Sequence, residues 1–261
     1  MSVKNFFFFL WVLALLFSSC YKDHQVVHFA STEDSLHIIL PLYAFPTDDE
    51  GKIWNAVAQA GYKVPITVIW GMSDTSDSAV YRNYLADLAR APYITLVAYV
   101  ATGSGLRPAK EVKDKIKYYT ENFDIQGIFL DEVNHVPEFD DYYKDIVSFA
   151  RSFSDVHLVI LNSSYAPPDY FARTGADVVV IFEDEASQWS NFNKQDYSHI
   201  PARKKAIIAS GAWLKSNMEK IITQAVENNI GNVFVTNRGY DKLPGYWDKE
   251  VELVQEINTR E

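Results

Sequence analysis

Between residues 36 and 261 the chain repeats one pattern eight times: a short apolar run, a polar loop, then a longer amphipathic segment. The runs are LHIILPLY (36–43), ITVIWG (66–71), ITLVAYV (94–100), GIFLDE (127–132), HLVILN (157–162), VVVIFE (178–183), KAIIAS (205–210) and NVFVTN (232–237). They are rich in Val and Ile and apolar on both alternating faces, as strands covered on both sides of a parallel sheet must be. The segments between them, at 49–61, 76–90, 108–123, 139–153, 167–175, 186–194, 216–231 and 248–260, carry helical spacing. Ser76 and Asp77 open the second, and Pro108 suits the first turn of the third. Eight strands alternating with eight helices predict a single (β/α)8 TIM barrel. A doubly wound open sheet uses the same alternation. Its dinucleotide-binding form, however, places a Gly-rich fingerprint after the first strand, and none stands here.

The first 35 residues fall outside that rhythm. Lys4 precedes an unbroken apolar run from Phe6 to Phe17, which is shorter than the roughly 20 residues of a membrane span and suits a signal-peptide core. FSSC follows and ends in Cys20, the only cysteine of the chain. The segment resembles a bacterial lipobox, with Phe17 where an aliphatic residue is usual. Residues 1–19 are therefore expected to be a lipoprotein-type signal peptide, with Cys20 as the lipidation site and membrane anchor. Residues 20–35 form a polar tether, and 36–261 form one catalytic domain. The expected location is the bacterial cell envelope, after secretion across the inner membrane. A single cysteine permits no internal disulfide, so stability must come from the core. The net charge of −10 and the lack of any basic block exclude a nucleic-acid partner. The barrel is expected to act as a monomer.

Parallel barrels build their sites at the C-terminal ends of the strands. Read in order, those ends offer Tyr43, Trp70, Tyr99 with Thr102, Asp131 with Glu132, Asn162, Glu183, Trp213, and Asn237 with Tyr240. Carboxylates suit acid–base chemistry, aromatic faces suit sugar rings and amides suit hydroxyls, so the rim reads as a carbohydrate site. Asp131, Glu132 and Glu183 are the catalytic candidates; the other eight are candidate substrate-binding residues. Crowded carboxylates raise the pKa of at least one, and glycosidic cleavage needs one protonated and one ionised carboxyl. Asp131 and Glu132 are adjacent and point to opposite faces of a strand, so one acts and the other supports it. A divalent metal held by these acids and His135 is the competing chemistry, but no HxH or HxxxH spacing supports His135. The hydrolytic reading needs no cofactor. Trp189 and Phe192 read as packing on the helix after the sixth strand, with sugar platforms as the alternative, and Arg107 as either a loop clamp or a ligand contact.

The stretches ILPLYAFP (39–46), AYVATGSGLRP (98–108), DIQGIFLDEV (124–133), YY (142–143), LNSSYAPPDYF (161–171), DVVVIFED (177–184) and VFVTNRGYDKLPGYW (233–247) together resemble the spherulin-4 family of glycoside hydrolases. That resemblance implies a (β/α)8 barrel cleaving α-1,4-linked galactosamine or N-acetylgalactosamine polymers internally, with a polysaccharide as partner. It implies Asp131 as nucleophile, Glu183 as general acid/base and Glu132 as support for one of them, with retention of configuration. Two loops depart from the family pattern. IWGMSDTSD (69–77) replaces an Asn-Pro and a Ser-Gly-Pro-Gly turn, and Asn162-Ser163-Ser164 replaces Asn-Pro-Gly. Those departures suit a second reading, a non-catalytic glycan-binding surface lipoprotein on a degenerate barrel.

Overall fold

The computed structural model describes residues 35–72 and 75–260, so the expected signal peptide, the expected lipidation site Cys20 and most of the expected tether lie outside the described residues. Eight parallel strands close into one barrel in sequence order: β1 (His37–Pro41), β2 (Ile66–Trp70), β3 (Ile94–Ala101), β4 (Gly127–Asp131), β5 (Leu158–Asn162), β6 (Val178–Glu185), β7 (Lys205–Ser210) and β8 (Asn232–Val235). Among the described residues seven α-helices cover it: α1 (Lys52–Ala60), α2 (Ser78–Leu88), α3 (Ala109–Asn122), α4 (Asp140–Ala150), α5 (Tyr170–Thr174), α6 (Lys215–Glu227) and α7 (Trp247–Thr259). Among the described residues no helix is long and apolar enough to cross a membrane.

One expected helix is missing. After β6 the chain makes 3-10 turns at Ala186–Gln188, Lys194–Tyr197 and Ala202–Lys204 in place of an α-helix. Ser187, Ser190, Asn191 and Asn193 favour turns over helix interiors. The aromatic side chains of this segment instead form a compact stack on the outer face of β6. Phe182 meets Trp189 at 5.2 Å and Phe192 at 5.3 Å, and Phe192 stacks on Tyr197 at 5.4 Å.

Paired residues of parallel neighbours point to the same side of a sheet, so register fixes which side chains enter the barrel. Ala101 pairs with Asp131, Tyr99 with Phe129, Phe129 with Ile160, and Val97 with Ile69. Asp131, Phe129, Tyr99, Ile69 and Asn162 thus share the inward parity, while Trp70 points out. Strand β6 begins with Val178 and Val180 inward, opposite Ile160 and Asn162. Strict alternation would then turn Glu183 outward. The register skips a residue between Val180 and Phe182, and from there Glu183 pairs with Ile208 and Glu185 with Ser210. This β-bulge turns Phe182 onto the outer aromatic stack and brings Glu183 into the barrel mouth.

The barrel is weakest between β1 and β8, which pair only at His37–Asn232 and Ile38–Val233. Higher up, the Thr236 amide turns to Ala209 of β7, so the Val235 amide faces the gap toward β1. The carboxyl of Glu250, from α7, fills that gap and accepts the Val235 N–H at 2.9 Å.

Candidate active site

Strand β4 ends in the half-buried Asp131, and β6 lifts Glu183 to the same height. A single side-chain amide joins them. Asn162, which ends β5 and is 4% exposed, donates one Nδ2 hydrogen to Asp131 Oδ1 at 2.8 Å and the other to Glu183 Oε2 at 2.5 Å. Asn162 is held in turn by its own loop, because the Ser164 N–H donates to Asn162 Oδ1 at 3.1 Å. The Ser164 carbonyl accepts the Glu183 backbone N–H at 3.1 Å. Ser164 makes both contacts from a left-handed conformation, φ 61°, that costs a side-chain-bearing residue about 1 kcal/mol or more.

The second oxygen of Glu183 is also committed, since Tyr240 donates its hydroxyl to Oε1 at 2.9 Å. Tyr99 lies within hydrogen-bonding range of the Asp131 carboxylate. The ring of Tyr43 stands edge-on to both tyrosines, at 5.6 Å from Tyr99 and 5.8 Å from Tyr240. Beneath the acids, Tyr99 stacks on Phe129 and Tyr240 tilts against Phe234, so an apolar layer closes the barrel under the carboxyls. This layer sets the titration of the site. Burial pushes the Glu183 carboxyl above the usual carboxylate range and the negative charge of Asp131 adds to it, against the opposing hydrogen bonds from Asn162 and Tyr240. Burial, with the nearby Asp131 and Glu183 charges, also raises the phenols of Tyr43, Tyr99 and Tyr240, so all three remain hydrogen-bond donors at neutral pH.

The other expected site residues fall into different places. Glu132 is exposed and turned away from the pair, in a left-handed conformation at φ 54°. Its carboxylate accepts the Gly103 N–H at 3.0 Å and its carbonyl accepts the Ser104 N–H at 2.8 Å, so it fastens the loop after β3 to the end of β4. Two expected sugar contacts are overturned. Trp70 has no exposed surface; it packs outside the barrel against Tyr81, Tyr119 and Phe123, because its register position faces the helices. Thr102 is also fully buried, and its hydroxyl bonds the carbonyls of Asp131 and Glu132 and the Tyr143 hydroxyl. It locks the loop and cannot reach a ligand. Asn237 sits on the rim and accepts the Gly245 N–H at 3.0 Å. Trp213 is 73% exposed on the loop after β7.

Among the described residues no group of three or more His, Cys, Asp or Glu side chains is placed to hold a metal ion. His135 stands edge-on to Tyr170, and its carbonyl accepts a hydrogen from Arg173. Arg107 donates to the Ala101 carbonyl at 3.2 Å, a clamp on its own loop. Sequence reasoning missed Ser164 and Tyr143. Tyr143 receives the Asn134 N–H at 2.8 Å and so braces the loop beyond Glu132.

A closed (β/α)8 barrel whose C-terminal mouth carries a buried, amide-bridged carboxylate pair ringed by three tyrosines is the class this geometry defines. Within it, the chain belongs to spherulation-specific family 4, whose model matches residues 37–254. No curated protein sequence matches the chain. Among solved structures, Sph3 of Aspergillus clavatus in complex with GalNAc superposes with a TM-score of 0.72 at 20% identity, covering 85% of this chain and 98% of that one. A plant class V chitinase mutant of Cycas revoluta in complex with (GlcNAc)3 gives 0.59 at 8% identity, over 86% and 99%. The ligand-free cyclic α-maltosyl-(1→6)-maltose hydrolase of Arthrobacter globiformis gives 0.57 at 10% identity, over 87% and 82%. At these identities the likenesses establish a shared barrel.

Proposed function

We propose that the protein is a retaining glycoside hydrolase that cleaves within a galactosamine-containing exopolysaccharide. The observation that carries this reading is the bridge between the acids. Asp131 Oδ1 and Glu183 Oε2 contact the same nitrogen, so their separation cannot exceed the sum of the two distances, about 5.3 Å. Retaining enzymes hold their carboxyls about 5–5.5 Å apart, whereas inverting enzymes need about 6.5–9.5 Å to admit a water. The raised pKa of Glu183 suits a proton donor, which leaves Asp131 as the nucleophile.

In this reading the Asp131 carboxylate attacks the anomeric carbon while Glu183 gives its proton to the departing glycosidic oxygen. The products are a glycosyl ester on Asp131 and a shortened chain. Glu183, now ionised, takes a proton from water as that water attacks the anomeric carbon. Asp131 leaves as a carboxylate and Glu183 regains its proton. Tyr240 and Asn162 keep the Glu183 carboxyl in one orientation throughout. Family membership and the GalNAc bound to Sph3 support the amino-sugar substrate. The signal segment and Cys20 support a lipid-anchored envelope protein, and Cys20→Ala should release it from the membrane fraction.

The test is to incubate the mature protein with galactosamine-containing polymers and a wider glycan panel, then measure new reducing ends and product size. The reading expects shortened chains from wild type and none above background from Glu183→Gln. Unchanged polymer with retained binding would favour a non-catalytic glycan-binding protein.

A further inference from the structure

Beyond the acids, strand β6 runs two residues further and ends in Glu185, which shares the inward parity of Glu183 and lies about 7 Å along the strand from it. A cavity of about 540 Å³ opens at Glu185, between the turns after β6 and the start of α6. Its volume lies within the range of small-ligand sites. The exposed indole of Trp213 forms one side. The opposite wall is built around Trp189. Trp189 is almost fully buried, its indole N–H donates to Gln224 at 3.0 Å, and the Lys194 ammonium lies 4.1 Å over its ring. At the junction with the mouth, Gly211 adopts φ +67°, and a Cβ there would meet Glu185 Oε2 at 2.0 Å. Only glycine lets the carboxylate lie across β7.

Four polar side chains line this cavity without using their hydrogen-bonding capacity within the protein. Ser187, Ser190, Asn217 and Lys220 make no side-chain hydrogen bond or ion pair among the described residues. An exposed indole facing unused hydroxyl, amide and ammonium groups is the arrangement that recognises a pyranose: the ring stacks and its hydroxyls or amide substituent are bonded from the side. We infer that this cavity is a secondary saccharide subsite, in which Trp213 stacks a sugar of the same polymer whose neighbouring residues occupy the acid pair. Glu185 lies between the two positions, where it can accept from an amine or hydroxyl of the intervening unit. The inference rests on the hydrolase reading and adds to it the direction in which the polymer leaves the catalytic centre, across β6 and β7.

The experiment uses α-1,4-linked galactosamine oligomers of two to eight units, free and N-acetylated, with wild type, Trp213→Ala and Trp213→Phe. The side chain is exposed, and thermal melts check that the variants fold alike. Hydrolysis rates are measured, and binding is measured in the Glu183→Gln background by calorimetry. Trp213→Ala should lower kcat/KM by about tenfold on the octamer, with a loss that shrinks as the oligomer shortens, and should weaken octamer binding by a similar factor. Trp213→Phe should recover most of both, and the product lengths from the octamer should shift. A loss independent of oligomer length, or no loss, overturns the subsite while leaving the hydrolase intact. Failure of wild type to bind or cleave any of the oligomers strikes the proposed function itself and takes the subsite with it.

Discussion

Two glutamates in this barrel are driven toward the protonated form by burial, and they do different things. Glu183 stands in the mouth, half-buried, with both oxygens bonded and a second carboxylate on the other side of Asn162. Glu250 sits in the seam between β1 and β8 with no exposed surface. One of its oxygens takes the Val235 amide and the other has no hydrogen-bond partner among the described residues, and burial pushes its carboxyl up to about 8. The seam residue is the more perturbed of the two, yet it faces no solvent and no second acid. A raised pKa by itself therefore does not mark a site. What marks one is a shifted carboxyl that also faces an open mouth and is held at a fixed distance from a second.

Asp131→Asn should produce the largest effect on this contrast. It removes the proposed nucleophile while keeping the Asn162 contact geometry, and turnover should fall by about three orders of magnitude or more with folding unchanged. Glu250→Gln should leave turnover as it is; a comparable loss there would erase the distinction between the two regions. Trp70→Ala tests the correction at β2. It should cost about 3–5 kcal/mol in denaturant unfolding, as truncation of a buried aromatic does. A weakened substrate affinity without loss of stability would return Trp70 to the mouth.

The seam also carries a pH signature. Glu250 titrates near 4.5 when unfolded and about 8 when folded. Between those values the unfolded chain releases a proton that the native state keeps, so its contribution to stability is full below about 4.5 and is lost as pH rises toward 8. Glu250→Gln should flatten that decline, with a gain over wild type that grows by a few kcal/mol between pH 5 and 8. Equal pH slopes would mean the carboxyl is not buried in the seam. The smallest effect belongs to Tyr240→Phe. It removes a hydrogen bond that holds the Glu183 pKa down, so that pKa should rise further. As the proposed general acid Glu183 must be protonated to act, so the alkaline limb of the rate profile should move to higher pH, with less than tenfold loss at the optimum. A shift to lower pH would contradict the direction of that bond.

The comparison also explains which features of the molecule the sequence discloses. The strands were legible because parallel strands covered on both faces are uniformly apolar, and each of the eight runs became one. Asp131 was legible for the same reason, as a charge that ends such a run. Uniform apolarity conceals parity, however. VVVIFE gives no sign of the bulge that turns Glu183 inward, and ITVIWG gives no sign that Trp70 points out. The turns after β6 were misread as a helix because Trp189 and Phe192 have helical spacing but serve an aromatic stack. The role of Asn162 was only half legible. Its place at a strand end suggested contact with hydroxyls, while its bridging of two acids depends on Ser164 closing the loop behind it. Glu250 was invisible, since its importance comes from a pairing that β1 and β8 fail to make.

The central claim is that Asn162 holds Asp131 and Glu183 at the spacing of a double-displacement glycosidase. Proton NMR of the first product released from an α-1,4-linked galactosamine oligomer tests it directly, by reading the anomeric configuration before mutarotation. The account predicts that the α-anomer appears first. First release of the β-anomer would contradict it, because a water would then have to fit between two carboxyls that one amide nitrogen already spans.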